Sequence, residues 1–289
     1  MKSPRAYLST VIVVVLSILL LSGFDALVIR EEVDSRDDYS NAAKSTVFSE
    51  GEELVYEVRW LFVTLGEIRL KTLSARKEVG AGRNIVKALI DSYDLKIADV
   101  HSVVQSEIDS TLTCVYSTSI EKRGDKGWWM LKNQYDRQKQ RLTIEDSWRR
   151  ERDGPAYTST NIDTFKVDGI LQDGLSILYY ARSQSHIRGT INVPTIVYKQ
   201  LGSTWLRFTG EKDNLEIDAL DVPVKTVAFE GRADFEGIFG LSGDFEAWFS
   251  DDDAAVPIKA KLGVILGSVT IELKEWHRNG WTIPIKSGS

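Results

Sequence analysis

Between Gly243 and Leu273 apolar and polar residues alternate in three consecutive runs, and a period of two leaves little choice of fold. In the first run Phe245, Ala247 and Phe249 share one face, and Asp244, Glu246 and Trp248 the other, because successive side chains of a strand point to opposite sides. Asp251, Asp252 and Asp253 break the run as a polar turn. Pro257, which has no N–H to give to a ladder, opens a second run in which Ile258, Ala260 and Leu262 alternate with Lys259 and Lys261. Gly263 and Gly267 flank a short apolar connection, after which Val269, Ile271 and Leu273 alternate with Thr270, Glu272 and Lys274. One dry face and one wet face is the pattern of an antiparallel sheet.

The same period recurs along the chain. Leu54, Tyr56, Val58 and Trp60 alternate with Val55, Glu57 and Arg59, and Gly66 marks a turn or bulge before Glu67–Leu73. Strands are expected over Asn84–Ser92 and Val103–Ser110, and a hairpin over Trp128–Tyr135 and Gln140–Asp146. Beyond Gly189 strands are expected over Thr195–Gln200, Thr204–Thr209, Glu216–Ala219 and Val224–Glu230, with Gly202, Gly210 and Gly231 as punctuation. One stretch departs from the pattern. In Gly169–Ser183 the residues Leu171, Leu175, Leu178, Tyr179 and Arg182 recur at three and four, which predicts a helix capped by Asp168 or Asp173. A helix interrupting a run of strands covers something apolar, a sheet face or a barrel mouth.

Lys2 and Arg5 precede an apolar run, Val11–Leu21, as in the n- and h-regions of a secretory signal. Cleavage after Ala26 or Gly23 lacks the small-x-small pattern, and Ala6–Phe24 is just long enough to span a bilayer, so a cleaved signal and a retained anchor both stay open. Either places the rest of the chain outside the cytoplasm, in the periplasm or on the outer face of the cytoplasmic membrane. No cysteine stands directly after the apolar run, against a lipoprotein. The expected organisation is a signal peptide or membrane anchor over 1–26, a polar linker over 27–48, one β domain over 49–276 and a tail over 277–289.

Composition excludes several functions. A hydrophobic fraction of 43% supports a sizeable core without a structural metal. A net charge of −6 argues against nucleic acid as a partner. The stretch Gly124–Asp153 does mix basic residues with Trp128, Trp129 and Trp148, but its acids offset them, as on a solvated sheet face. Cys114 is the single cysteine, so no intrachain disulfide forms, and its setting in STLTCVYSTSI suits a small buried hydrophobe. His101, His186 and His277 are far apart, and no metal site or cofactor is implied. No phosphate loop, GxSxG elbow or HExxH motif is present.

Three segments carry a resemblance. GEELVYEVRWLFVTLGEIRLK at 51–71, LQDGLSILYYARS at 171–183, and GIFG followed by WFSDDDAAVPIKAKL and LGSVTIEL resemble the bacterial domain-of-unknown-function 3108 family. The resemblance implies an exported, mainly β protein similar to the curved-sheet lipoprotein carriers of the envelope, and it brings no catalytic residues. The expected fold is therefore a large curved antiparallel sheet or partly closed β-barrel with one covering helix, after an N-terminal signal or anchor helix. Trp60 would begin a recess where the sheet curves. Three functional readings follow. The first is a non-catalytic binding module holding a lipid or other hydrophobic envelope molecule, with Trp60, Tyr180, Arg182 and Trp248 as candidate lining. The second is a structural or assembly protein working through contacts with other envelope proteins. The third is a hydrolytic enzyme using carboxylates such as Asp251–Asp253, for which no nucleophile, base and orienting group can be named.

Overall fold

The fold is that of a computed structural model, whose described residues are 46–76, 82–93, 100–158, 160–233, 243–263 and 267–286. The signal or anchor segment, nearly all of the polar linker and the GIFG motif at 237–240 lie outside the described residues. Among the described residues fifteen strands form one curved sheet. The first eight are β1 (Glu53–Trp60), β2 (Val63–Arg76), β3 (Arg83–Ser92), β4 (His101–Ile108), β5 (Cys114–Lys122), β6 (Trp128–Asp136), β7 (Arg141–Arg149) and β8 (Asn161–Lys166). A two-residue strand β9 (Gln172–Asp173) and the helix α1 (Ser176–Ser183) follow. The rest are β10 (Gly189–Val197), β11 (Gln200–Leu215), β12 (Val224–Ala233), β13 (Gly243–Ser250), β14 (Pro257–Gly263) and β15 (Ser268–His277).

Neighbours in the sheet are neighbours in the chain with one exception, the antiparallel pairing of β1 with β15. The first and last strands therefore meet in the middle of the sheet, and β8 and β9, consecutive in sequence, are its two margins. Every ladder is antiparallel except β9 with β10, whose strands are joined through α1. The margins are not hydrogen-bonded to each other, so the sheet is barrel-like without closing. Besides the bond from Cys114 N to Leu171 O, they meet through side chains. Lys199, in the β10–β11 turn, places Nζ 2.8 Å from Asp146 of β7 and 2.6 Å from Asp163 of β8. The Arg123 guanidinium lies 5.3 Å from the Trp129 ring and 5.4 Å from the Tyr198 ring. Ile196 packs with Leu131, Leu142 and Ile144 beneath them.

Antiparallel order sorts the connections to two ends. One end carries α1, the residues before β1 and the β13–β14 turn at 251–256. The other carries the β1–β2 turn at Leu61–Phe62 and the β10–β11 turn at Tyr198–Lys199.

Most strands fall where alternation predicts, and β13 has the same bounds, Gly243–Ser250. Three elements differ. The helix begins at Ser176 rather than near Gly169, because the preceding residues are bonded into the sheet: Leu171 O accepts from Cys114 N, and Gln172 Nε2 donates to Leu112 O. Glu216–Ala219 is a turn rather than a strand, tethered by the buried Ile217. The β10–β11 hairpin turns at Tyr198–Lys199, where Tyr198 takes φ 53°, instead of at Gly202. Pro194 sits inside β10, tolerated because only Thr195 and Ile196 pair on that strand's outer side.

Candidate functional site

Between α1 and the curved sheet lies a cavity of about 330 Å3. Its existence follows from residue size. Ala88, Ala181, Ala233, Ala247 and Ala260 all border it, in positions where a leucine or phenylalanine would fill the space. Around these alanines the wall is Tyr56, Leu70 and Ile90 on one side and Leu206, Phe229 and Phe249 on the other. Leu175, Ile177 and Leu178 come from the α1 segment. The few polar side chains at the border have partners. Tyr56 Oη donates to Pro257 O at 3.0 Å, Thr195 Oγ1 donates to Thr204 Oγ1 at 3.0 Å, and Lys259 Nζ lies 2.5 Å from Glu272. An apolar cavity of roughly half this size already stays dry and takes an aromatic guest, and small-molecule sites start at about 300 Å3.

The helix that floors the cavity is fixed at both ends. Asp173 Oδ1 accepts from the backbone N–H groups of Leu175 (3.1 Å) and Ser176 (2.6 Å), while Ser176 Oγ accepts from Asp173 N–H at 2.8 Å. This is a reciprocal capping box, which satisfies amides at a helix start that have no intrahelical partner. The other Asp173 oxygen accepts from Ser106 Oγ at 2.6 Å, which pins the cap to β4. At the far end of α1, Arg182 is fully buried and donates twice to Glu52, at 2.8 and 3.0 Å, and once to Ala254 O at 3.0 Å. Arg278 donates to the same Glu52 carboxylate and to Thr46 O. Burial pushes the Glu52 carboxyl up, but the two guanidiniums outweigh it and hold the group below the ordinary carboxylate value. Tyr179 lies between, with Phe48 stacked on its ring at 5.1 Å and the Arg182 guanidinium 5.0 Å from its centroid. Burial raises its hydroxyl to about 12.

The four residues proposed from sequence are not gathered in one place. Arg182 is turned into the ion cluster behind the helix and does not border the cavity. Tyr180 packs against the clusters on both sides of α1, outside the cavity wall. Trp60 ends β1 at the opposite end of the sheet from α1. Trp248 does border the cavity, but it alternates with Ala247 and Phe249, so its ring belongs to the other face. There Lys261 Nζ sits 5.4 Å from the indole centroid. Sequence reasoning missed Glu52 and Phe48, whose partners are remote in the chain, and it missed the alanines. Their inward register at Ala88, Ala247 and Ala260 is the signal that finds them.

The acids of the β13–β14 turn are engaged by other groups. Asp252 accepts from Ala254 N–H (3.0 Å), Ala255 N–H (3.2 Å) and Trp281 Nε1 (2.8 Å), so it is occupied in holding its turn. Asp251 pairs with Lys212 at 2.8 Å. Among the described residues no three His, Cys, Asp or Glu side chains converge as metal ligands would. Cys114 is buried, and burial first, then Asp173, pushes its thiol well above its ordinary value, which makes it a poor nucleophile.

Comparison with known proteins finds a family model and similar solved structures. The family model described as "Protein of unknown function (DUF3108)" matches residues 55–274. Among solved structures, a β-barrel-like protein of the domain of unknown function DUF1849 from Brucella abortus is similar in fold, with a TM-score of 0.52 at 8% sequence identity. The match covers 81% of this chain and 100% of that one. No curated protein sequence matches.

Proposed function

This chain belongs to the DUF3108 family of proteins of unknown function, and from that premise we propose that it is an exported binding protein that carries an apolar molecule, such as a lipid, between α1 and its sheet. The observation that carries the reading is the alanine-lined cavity itself. Close-packed interiors rarely keep voids of this size, and forgone dispersion contacts make an empty one destabilising. A guest restores those contacts. The predominantly apolar character of the described wall residues favours a hydrocarbon over a sugar or nucleotide, since a polar guest would lose hydrogen bonds on entry. Export is supported by the charged and apolar order of the first 21 residues.

The full chain, purified from a bacterial envelope under mild conditions, is expected to release a stoichiometric apolar molecule on organic extraction, detected by mass spectrometry. Ala247→Phe, which fills the void, is expected to remove that molecule while leaving the melting temperature unchanged or higher. Native protein that extracts empty, and does not take up added phospholipid or fatty acid, overturns the reading.

A further inference from the structure

We propose that the β1–β2 turn inserts into the surface of a lipid bilayer and brings the cavity up to it. The inference rests on the binding function proposed above and adds where the apolar cargo enters. Leu61 and Phe62 form the turn, 58% and 87% exposed. Leu61 takes φ 54°, a conformation costly for a residue other than glycine, asparagine or aspartate. Its side chain lies over Gly267, where an added Cβ would come within 2.8 Å of Leu61 Cδ2. The neighbouring connection thus makes room for a leucine that is nonetheless held out to solvent. Strained backbone and a large exposed apolar pair together mark a surface with a use.

The turn is continuous with the cavity. Trp60, the last residue of β1, pairs with Val269, and Val269 pairs with Leu262. Leu262 borders the cavity, as does Ala233 at the last rung of β12. The apolar lining therefore runs along the strands to the rung beside the turn, while the other end is floored by α1 and the buried Glu52 ion cluster. Tyr93 and Tyr157, 41% and 51% exposed, stand at the same end as Phe62, and tyrosine suits the level of lipid headgroups.

Area decides between a bilayer and a protein partner. A stable protein interface buries about 1,200–2,000 Å2, far more than the two side chains of a hairpin tip supply. Insertion to a depth of roughly 5–10 Å at the headgroup boundary needs no more than such a tip. Binding of this kind is weak and reversible, as delivery of a cargo requires.

The eight tryptophans of the chain all lie at or beyond position 60, so indole fluorescence reports on the domain and not on the N-terminal apolar run. Full-length protein is mixed with phosphatidylcholine vesicles whose acyl chains carry bromine, a contact quencher. Quenching is expected, most of it is expected to disappear in Trp60→Phe, and Leu61→Asp with Phe62→Asp is expected to lower vesicle affinity at least about tenfold, for loss of two buried apolar side chains. The aspartates keep the fold, checked by circular dichroism, because position 61 already has a conformation that aspartate tolerates. Quenching that is absent, or unchanged in the double variant, overturns the proposal. So does a Phe62-dependent self-association in the absence of lipid, which would assign the tip to protein contact. An empty cavity with Phe62-dependent quenching would sink the carrier function alone. A lipid-filled cavity with Phe62-independent quenching would sink this inference alone.

Discussion

Glu52 is the residue on which the helix end of the molecule turns. It sits between two arginines and is 1% exposed. Breaking a buried pair by removing one partner costs about 3–5 kcal/mol, because the remaining charge is left without compensation. Glu52→Gln is therefore expected to lower the free energy of unfolding by about that amount in urea titrations at neutral pH. The acid side follows from the direction of its pKa. The folded value lies below the ordinary 4.5, so the contribution is present above about 4.5 and is lost as pH falls through the folded value. Wild type is expected to lose stability in that acid window while Glu52→Gln does not, and parallel curves for the two proteins would refute the assignment. Tyr179 works in the opposite sense. Its folded value is raised from 10.0 to about 12, so its contribution is full below 10 and fades as pH rises toward 12. The inward direction of Arg182 was legible from helical spacing, but its partner lies 130 residues away, and no local pattern encodes a contact at that separation. For Trp248 the sequence held the answer: its alternation with Ala247 and Phe249 already places the ring on the outer face.

Among the elements, α1 shows why period alone sets type better than length. Apolar spacing suggested a helix from Gly169, whereas the hydrogen bonds of Leu171 and Gln172 hold that stretch in the sheet until Asp173. Of the two caps the sequence offered, Asp168 and Asp173, it is Asp173 that marks the start, three residues before Ser176. Asp173→Ala removes the cap and leaves Ser106 Oγ without its acceptor. A loss of about 2 kcal/mol is expected, roughly 1 for the cap and a similar amount for the buried hydrogen bond. Hydrogen exchange of the α1 amides should accelerate more than that of β13, and equal acceleration would mean that α1 has no independent fixing. The β6–β7 hairpin was legible because both strands alternate and a polar turn separates them. The β10–β11 turn was not, because Tyr198 adopts a positive φ that tertiary packing against Arg123 and Trp129 supports.

At the level of the molecule, strand order was beyond the reach of sequence, since every strand reads as a similar alternation. Residues 53–166 form one contiguous half of the sheet and residues 172–277 the other, joined by the single β1–β15 ladder. Contacts so remote in sequence are entropically expensive to close and slow folding. Two fragments divided between Asp168 and Gly169, both exposed in the connecting loop, are expected to associate when co-expressed. Loss of β15 from the second fragment is expected to abolish that association, and association persisting without β15 would refute the ladder as the joint. The architecture resembles a bound book, with β1 and β15 as its spine and the margins β8 and β9 as its fore-edge. Parting the leaves at any other line tears a hydrogen-bonded ladder. Parting them at the fore-edge breaks the Lys199 clasp, the Arg123 stack, the packing of Ile196 and the hydrogen bonds that tie Leu171, Gln172 and Asp173 to Cys114, Leu112 and Ser106, but no strand ladder, so among the described residues it is the line along which the sheet opens without losing a ladder.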